Sequence, residues 1–526
     1  MNRILTSREM YLCDRTEIEL HTPSRRLMYR ASRACADAVR GILDDRASAG
    51  RIVLLCGGGN NGGDGILCAR LLREDGVDAV ICPAFTSNDA LSAECAYRWD
   101  EAIAAGVPVL AAEDFLREAA GDTKPFSMIV DALFGIGLTR EIDGLPADLI
   151  DAANAYAASH RIPTVAVDIA SGIFADTGKV GMHTFRASHT LAVNCAKRGH
   201  LFYPGASYTG ELTVIDIGIP LTPLADDADD FPVCMLTDDD VRAMLPPRLP
   251  DSNKGTNGRV LIAAGSKNMC GAAYLSALAA YRCGAGLVEI FTCEDNRIPL
   301  QTLLPEAILT TYNADDSADA CERLKVSLAR ASSAAAGPGL GTSETAAALV
   351  DTVLAHTTVP TVLDADALNL IATLSEKDGL RCISERTAPV PMILTPHPGE
   401  LSRLTGISVP VLLADLIGCA RDFAKTHGVV LNAKNTRSVI TDGHRAYLNP
   451  TGTSALAKGG SGDVLSGITA ALCAQGCEPL TAAALAAYLH GRAAELVTAR
   501  MGARSPLASE IADALGEVFL QMDDNV

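Results

Sequence analysis

The chain is short of positive charge. Against 63 Asp and Glu it carries 44 Lys and Arg, which leaves a net charge of −19 and a pI near 5.0. Nucleic acid and anionic membrane both require a basic footprint, so neither is expected as a partner. Cys-x-x-Cys spacing is also missing: of 16 cysteines the closest pair, Cys473 and Cys477, sits one helical turn apart in an apolar stretch. The cysteines read as small core residues in a reducing, cytoplasmic compartment. Met1 to Met10 lacks the apolar run of a signal peptide, and the apolar stretch from Leu480 to Tyr488 is too short to cross a bilayer before Arg492. What remains is a soluble enzyme. At 526 residues and 48% hydrophobic content it is too long for one ordinary core, so at least two domains are expected.

The stretch Ala455-Leu-Ala-Lys-Gly-Gly-Ser-Gly-Asp-Val-Leu-Ser-Gly467 organises the second half. Gly459, Gly460 and Gly462 allow a tight turn, and Val464, Leu465, Ile468 and Leu472 then recur at helical spacing, so a helix is predicted from about Asp463. Free N–H groups and the positive end of the dipole meet there. The turn can hold an anion, and Asp463, kept ionised, reads either as a general base or as an ordinary N-cap.

In the first half, Arg51-Ile-Val-Leu-Leu-Cys56 reads as a buried strand running into Gly57-Gly-Gly-Asn-Asn-Gly-Gly-Asp-Gly65, with a helix predicted from Ile66 to Glu74. This is not the GxGxxG dinucleotide fingerprint in its usual register. Asn60, Asn61 and Asp64 add side-chain oxygens and amides suited to a phosphate or a hard cation. Two further strands, Phe126–Phe134 and Ile162–Asp168, also end in an Asp and a Gly-containing loop. One such Asp commonly just caps a turn, but three loops converging on one sheet edge are the arrangement that binds ligands in open α/β folds. Residues up to about Gly50 read as one or two amphipathic helices with no assigned chemistry. A first domain is expected over 1–220, and an acidic, solvated linker over 221–240, which holds seven Asp and no Lys or Arg. Residues 241–526 restart the α/β pattern. Its strand ends carry Gly337-Pro-Gly-Leu-Gly341, Asp364-Ala-Asp366, His397 between two prolines, and Lys434, a point charge for phosphate; Asp364 and Asp366 could organise Mg²⁺ or water.

With both halves laid out, the sequence resembles the bifunctional NAD(P)H-hydrate repair enzymes over almost its whole length. GGGNNGGDG, VDALFGIGL and VDIASG are similar to the epimerase half of that family. NKGTNGRVLIAAGS, GPGLG, DADALN, TPHPGE and KGGSGDVLSG are similar to its dehydratase half. The resemblance implies two three-layer α/β/α domains, the first Rossmann-like and the second ribokinase-like. It implies that the first interconverts the R and S hydrates of NADH and NADPH and the second dehydrates the S form with an adenine nucleotide.

Carried over by motif, the hydrate would be bound in the first domain by Asn60, Asn61, Gly62, Gly63, Asp64, Gly135, Ile136, Gly137, Leu138, Thr139, Arg140, Glu141 and Asp168, the last also catalytic. K⁺ would be held by Asn61, Asp131 and Ser171. In the second domain Ala272, Gly339, His397 and Asp463 would meet the hydrate. Lys434, Asn435, Thr436, Arg437, Ser438 and Gly462 would bind the nucleotide, and Asp463 would be the base. Mg²⁺ is expected with the nucleotide, ADP is expected over ATP because bacterial fused forms of this family generally use ADP, and a homo-oligomer is expected. Ala170 stands where the family commonly has Pro, which would loosen the Asp168 loop, and Asn435-Thr-Arg-Ser438 departs from the family's usual small and hydroxyl residues, with Arg437 able to alter contacts to phosphate. Two other readings compete. A ribokinase-like small-molecule alcohol kinase shares the Gly-Gly-Ser-Gly-Asp cradle but leaves the first half unexplained. A non-catalytic binding scaffold in the first half has no need of the oxygen cluster at Asn61, Asp131, Asp168 and Ser171.

Overall fold

The computed structural model describes residues 1–44, 50–86, 91–121, 123, 125–221, 231–375, 383 and 392–523. The chain divides into two compact units, Asn2–Asp230 and Phe231–Val526. In the first, the strands are β1 (Asn2–Leu5), β2 (Arg51–Cys56), β3 (Ala79–Pro83), β4 (Phe126–Ala132), β5 (Thr164–Val167), β6 (His189–Val193), β7 (Ala196–Lys197) and β8 (Glu211–Ile215). Six of them form a parallel sheet in the order β3-β2-β4-β5-β6-β8, and β1 pairs in parallel with β7. The runs are apolar throughout because both faces of the sheet are covered. Along β2, Ile52, Leu54 and Cys56 enter one core, built with helices Ser24–Asp44 and Asn60–Glu74, while Val53 and Leu55 enter the other, built with Leu145–His160.

The second unit holds β9 (Val233–Met235), β10 (Arg259–Ala263), β11 (Leu287–Cys293), β12 (Ile308–Tyr312), β13 (Ser333–Ala336), β14 (Thr361–Leu363), β15 (Met392–Leu394), β16 (Val430–Ala433), β17 (Val439–Thr441) and β18 (Ala446–Leu448). Their order is β12-β11-β10-β13-β14-β15-β16-β17-β18-β9, parallel from β12 to β16, with β17 antiparallel to both neighbours. Val260 and Ile262 of β10 face a core shared with helices Cys270–Arg282, Ser461–Ala474 and Pro479–Met501, and the alternate residues Leu261 and Ala263 are buried as well. Each unit is therefore a helix-covered sheet, wholly parallel in the first and mostly parallel in the second, whose parallel strand ends gather at one edge. Among the described residues no helix is long and apolar enough to cross a membrane.

The expected linker divides in two. Residues 222–230 lie outside the described residues. From Phe231 onward the expectation fails: β9 joins the sheet, and Asp238, Asp239 and Asp240 form the first turn of helix Asp238–Met244. Thr237 caps that helix, accepting from the Asp240 N–H at 3.2 Å while its own N–H donates to Asp240 at 2.9 Å. Carboxylates at a helix N-terminus are favoured by the dipole, so the charge run belongs to the fold. The helix expected from Ile66 starts instead at Asn60, inside the Gly-rich stretch. Gly is a poor helix former, but here it is required, because a Cβ on Gly62 would lie 1.7 Å from the Gly57 carbonyl oxygen.

Candidate active sites

In the second unit the site lies at the carboxyl ends of β13 to β16, where parallel neighbours bring their following residues to one edge. Lys434 follows β16 and its Nζ donates to Asp364 Oδ1 at 2.8 Å. Ser466 donates to Asp364 Oδ2 at 2.8 Å. Burial alone would raise the Asp364 carboxyl, but the Lys434 charge and these hydrogen bonds hold it below its ordinary value. Burial would likewise lower Lys434, and Asp364 and Glu400 outweigh it and raise it. The two form a fixed, charged pair beneath the helix mouth. Asp364 thus accepts from Lys434 and Ser466, and Asp366 accepts the Gly341 N–H at 2.8 Å.

Helix Ser461–Ala474 begins two residues before the predicted start, which makes Asp463 its third residue and leaves the N-cap to Gly460. Gly460 has φ 94°, and a Cβ there would also sit 2.6 Å from Leu275 Cδ1, so the turn needs glycine. A Cβ at Gly462 would be 3.3 Å from both Asp364 Oδ2 and Lys434 Nζ, which places the helix's first turn beside the lysine. Asp463 is not held fully ionised as expected: burial, and repulsion by Asp364, push its pKa up to about 6 despite Lys434. The dipole's help does not offset lost hydration.

The other expected residues surround this edge. Gly339 and Ala272 face each other, a Cβ on Gly339 lying 2.9 Å from Ala272 Cβ. His397 caps helix Pro398–Thr405, its Nδ1 accepting the Gly399 N–H at 3.0 Å, and burial and Lys434 lower its pKa. With Nδ1 used as an acceptor, the ring is neutral and presents Nε2–H. Asn435 to Ser438 form the turn between antiparallel β16 and β17, where Ser438 Oγ donates to the Asn435 carbonyl at 3.3 Å. Arg437 Nη1 donates to the Pro450 carbonyl at 2.6 Å, so part of its guanidinium is already engaged.

The first unit has a cavity of about 770 Å³ at the ends of β2, β4, β5 and β6. It is lined by Asn60, Asn61, Asp64, Gly135, Ile136, Gly137, Leu138, Thr139, Arg140 and Asp168. Gly62 and Gly63 do not line it: the first packs on Gly57 and the second on Met28 and Cys95. Glu141 lines an adjoining cavity of about 490 Å³ and accepts the Met182 N–H at 3.0 Å. Burial pushes Asp64 up to about 8, with Ser32 donating to it at 3.2 Å, so at neutral pH it is chiefly a protonated donor.

Asp168 stands after β5 with φ 65°, a left-handed conformation that Asp tolerates better than most residues. Its Oδ1 takes the Lys197 ammonium at 2.6 Å, and its carbonyl meets His200 Nε2 at 2.9 Å. His200 Nδ1 in turn accepts the Lys197 N–H at 3.0 Å. Burial and Lys197 lower the His200 pKa to about 4, so the ring is a neutral brace between the two charged residues. The Asp168 loop is therefore held firmly, in spite of Ala170.

Asp131 and Ser171 are in direct contact. Asp131 Oδ1 accepts from Ser171 Oγ at 2.7 Å and Leu133 N–H at 3.1 Å, and Oδ2 from Ser171 N–H at 2.7 Å. Burial raises Asp131 to about 6 against these bonds. The Asn61 amide nitrogen is buried without a partner among the described residues, and its side chain lies where a Cβ on Gly135 would be 3.5 Å from Oδ1. Turned over, that amide would offer an unused oxygen, the donor a K⁺ requires, so the set fits the ion.

The cavity also contains residues that the sequence did not mark: Ser7, Met10, Tyr11 and Asp14 from helix Ser7–Leu20, and Lys197. Their i, i+3, i+4, i+7 spacing was the only available signal, and it says amphipathic helix, not active site.

Comparison with known proteins agrees with both halves. A family model described as YjeF-related protein N-terminus matches residues 24–199, and one described as NAD(P)H-hydrate dehydratase matches residues 260–516. The bifunctional NAD(P)H-hydrate repair enzyme Nnr of Moorella thermoacetica is 36% identical over 99% of this chain and 98% of its own length. That of Escherichia coli K12 is 34% identical over 94% and 89%. A solved structure of the ADP/ATP-dependent NAD(P)H-hydrate dehydratase from Bacillus subtilis, co-crystallised with ATP and Mg²⁺, is 35% identical with a TM-score of 0.47, covering 56% of this chain and all of that one. With a relative this similar matched from end to end, the chain belongs to the family of bifunctional NAD(P)H-hydrate repair enzymes.

Proposed function

We propose that the chain repairs hydrated NADH and NADPH in two steps, epimerising the R and S hydrates in the first unit and dehydrating the S hydrate in the second with ADP, which gives AMP and phosphate. The observation that carries this reading is Asp463 in the first turn of helix Ser461–Ala474, beside amides that close on Lys434. Hydroxide leaves a saturated carbon poorly, whereas phosphate leaves well. Asp463 takes the hydroxyl proton as the oxygen attacks the terminal phosphorus, AMP departs, and the amides of residues 459–462 with Lys434 stabilise the charge on the transferred group. The phosphate then leaves with its electron pair, a proton is lost from the neighbouring carbon, and the nicotinamide double bond is restored. Mg²⁺ supplies charge neutralisation on the nucleotide phosphates. It would be carried chiefly by those phosphates and water, since no group of three or more His, Cys, Asp or Glu among the described residues could hold a metal.

In the first unit Asn61, Asp131 and Ser171 would hold K⁺, which fixes the loop after β4, and Asp168 acts on the hydrate. We place the enzyme in the cytoplasm, as the free cysteines suit a reducing compartment, and as a homo-oligomer, which sedimentation would test. Supplying resolved R and S hydrates with ADP or ATP, and following nicotinamide absorbance and nucleotide products, tests the whole reading. Recovery with ATP alone would refute the ADP assignment, and phosphorylated alcohol without recovered NAD(P)H would favour the kinase reading.

A further inference from the structure

The cavity of the first unit holds ionisable groups that the proposed site leaves idle. Helix Ser7–Leu20 turns one face to it, carrying Ser7, Met10, Tyr11 and Asp14. The helix is pinned in place: the Ser7 N–H donates to Asp176 Oδ1 at 2.6 Å, and its hydroxyl reaches the same oxygen at 3.0 Å and the Ile136 carbonyl at 3.1 Å. Ile136 belongs to the loop that lines the cavity, so the helix and the loop are fixed to each other. Lys197 lines the same cavity and is only 1% exposed. Two of its three donors go to Asp168 Oδ1 and to the Val193 carbonyl at 2.7 Å, which leaves one. The family match that includes Asp168 and Lys197 begins at residue 24 and does not reach Asp14.

We propose that Asp14 is a second catalytic carboxylate of the epimerisation, paired with Asp168 through the ammonium of Lys197. The inference rests on reading the first unit as the epimerase. Water adds to the enamine bond of a reduced nicotinamide with its oxygen on the carbon next to the ring nitrogen, so the R and S hydrates differ at a carbon bearing both N and OH. Inversion requires that C–O bond to break on one face and form on the other. Protonated Asp14 gives its proton to the hydroxyl, the C–O pair leaves with the oxygen as water, and the nitrogen lone pair completes an N=C bond. A water adds to the opposite face, the N=C electrons return to nitrogen, and Asp168 takes the surplus proton. Lys197 resets the pair by giving one proton to Asp14 and taking one from Asp168.

The electrostatics suit the role. Burial, and repulsion by Asp168, raise Asp14 to about 6 against the pull of Lys197, so a useful fraction is protonated near neutral pH. Asp64 also feels the Asp14 charge. The test uses the full chain and R hydrate, with S-hydrate dehydration in the same preparation as control, and compares Asp14→Asn and Asp14→Glu for turnover, hydrate KM and thermal unfolding. The expected result is a fall in R-to-S turnover of about 10²- to 10⁴-fold in Asp14→Asn with KM changed little, loss of the fall in rate above about pH 6, and partial recovery in Asp14→Glu. The proposal is overturned if Asp14→Asn stays within a few-fold of the parent. It is equally overturned if the loss comes entirely from KM or unfolding and Asp14→Glu recovers nothing. If the parent itself does not exceed the enzyme-free rate, the epimerase reading fails first and takes this proposal with it.

Discussion

In the second unit Asp463 stands in the first turn of a helix, with Asp364 paired to Lys434 beside it. In the first, Asp168 and Asp14 share a cavity with a buried ammonium, and the N-terminus of helix Asn60–Glu74 opens on it as well. The difference follows the chemistry. Phosphoryl transfer develops negative charge on oxygens, which backbone amides and a lysine stabilise without reorganising, and it needs only one base. Exchange of a hydroxyl between two faces of a carbon develops little net anion. It needs one proton delivered and one removed, the work proposed for Asp14 and Asp168.

The sharpest way to break the comparison is to remove each unit's working carboxylate in turn. Asp463→Asn keeps the side chain's size, so the helix should survive while dehydration of S hydrate falls about 10²- to 10⁴-fold and epimerisation is untouched. Asp168→Asn should do the reverse, leaving S hydrate repaired at the normal rate and R hydrate converted only as fast as it epimerises spontaneously. If Asp463→Asn still dehydrates within a few-fold of the parent, the helix end is only an anion cradle and the base lies elsewhere.

Next in size is a stability effect confined to the second unit. Asp364 is 1% exposed and kept ionised chiefly by the Lys434 charge, with help from hydrogen bonds such as that of Ser466. Lys434→Ala would strand a buried charge, at a cost of about 3–5 kcal/mol, whereas Lys434→Ala with Asp364→Asn should recover much of that while still failing to turn over nucleotide. Denaturant unfolding of both variants checks this. Equal stability of the two would show that the pair matters to catalysis alone.

How much of this could be read from the chain depends on whether the signal was local. The strand Arg51–Cys56 is an uninterrupted apolar run after its first residue, and it stands where the sequence puts it. The three-residue strand Val439–Thr441 has no such signal, since its pairing with β16 and β18 comes from partners. The first turn of the helix at Asn60 was hidden because Asn60, Asn61, Gly62, Gly63, Asp64 and Gly65 all disfavour helix by themselves, and only tertiary contacts explain the glycines: Gly62 against Gly57, Gly63 against Met28 and Cys95, Gly65 against Ala132. Motif glycines and carboxylates marked most of both sites. Lys197 and Asp14 went unmarked because neither belongs to a motif, and their meeting depends on two distant segments folding onto one cavity. The raised Asp463 was missed for a related reason: a sequence shows the helix end but not the neighbouring Asp364 or the loss of water.

The pH profiles should separate the units by sign. As the proposed base Asp463 would work ionised, and its ionised fraction rises as pH climbs through about 6, so kcat/KM for dehydration should rise toward a plateau above that value, about tenfold per unit below it. As the proposed acid Asp14 would work protonated, and its protonated fraction falls through the same range, so R-to-S conversion should decline above about pH 6. Profiles of the same sense for both reactions would mean that one of the two carboxylates has been given the wrong role.

The smallest expected effect sharpens the comparison from the side of the cation. Asp131, Ser171 and Asn61 lie only in the first unit, and the bonds from Ser171 and Leu133 already hold Asp131 without an ion. A K⁺ bound there would therefore add to a preformed loop and not create it, and binding to the folded state alone would stabilise by RT ln(1 + [K⁺]/Kd), about 1.4 kcal/mol at a tenfold excess over Kd. Replacing Na⁺ by K⁺ at constant ionic strength should raise the unfolding temperature and speed R-to-S conversion by a modest factor, leaving the second unit's dehydration of S hydrate unaffected. Asp131→Ala should lose both responses and convert R hydrate more slowly, because the ion's one charged ligand and the anchor of the loop from Leu133 to Phe134 are gone together. If the parent behaves alike in K⁺ and Na⁺, or Asp131→Ala converts R hydrate at the parent's rate, the unpaired Asn61 amide has some other explanation and the cation assignment falls.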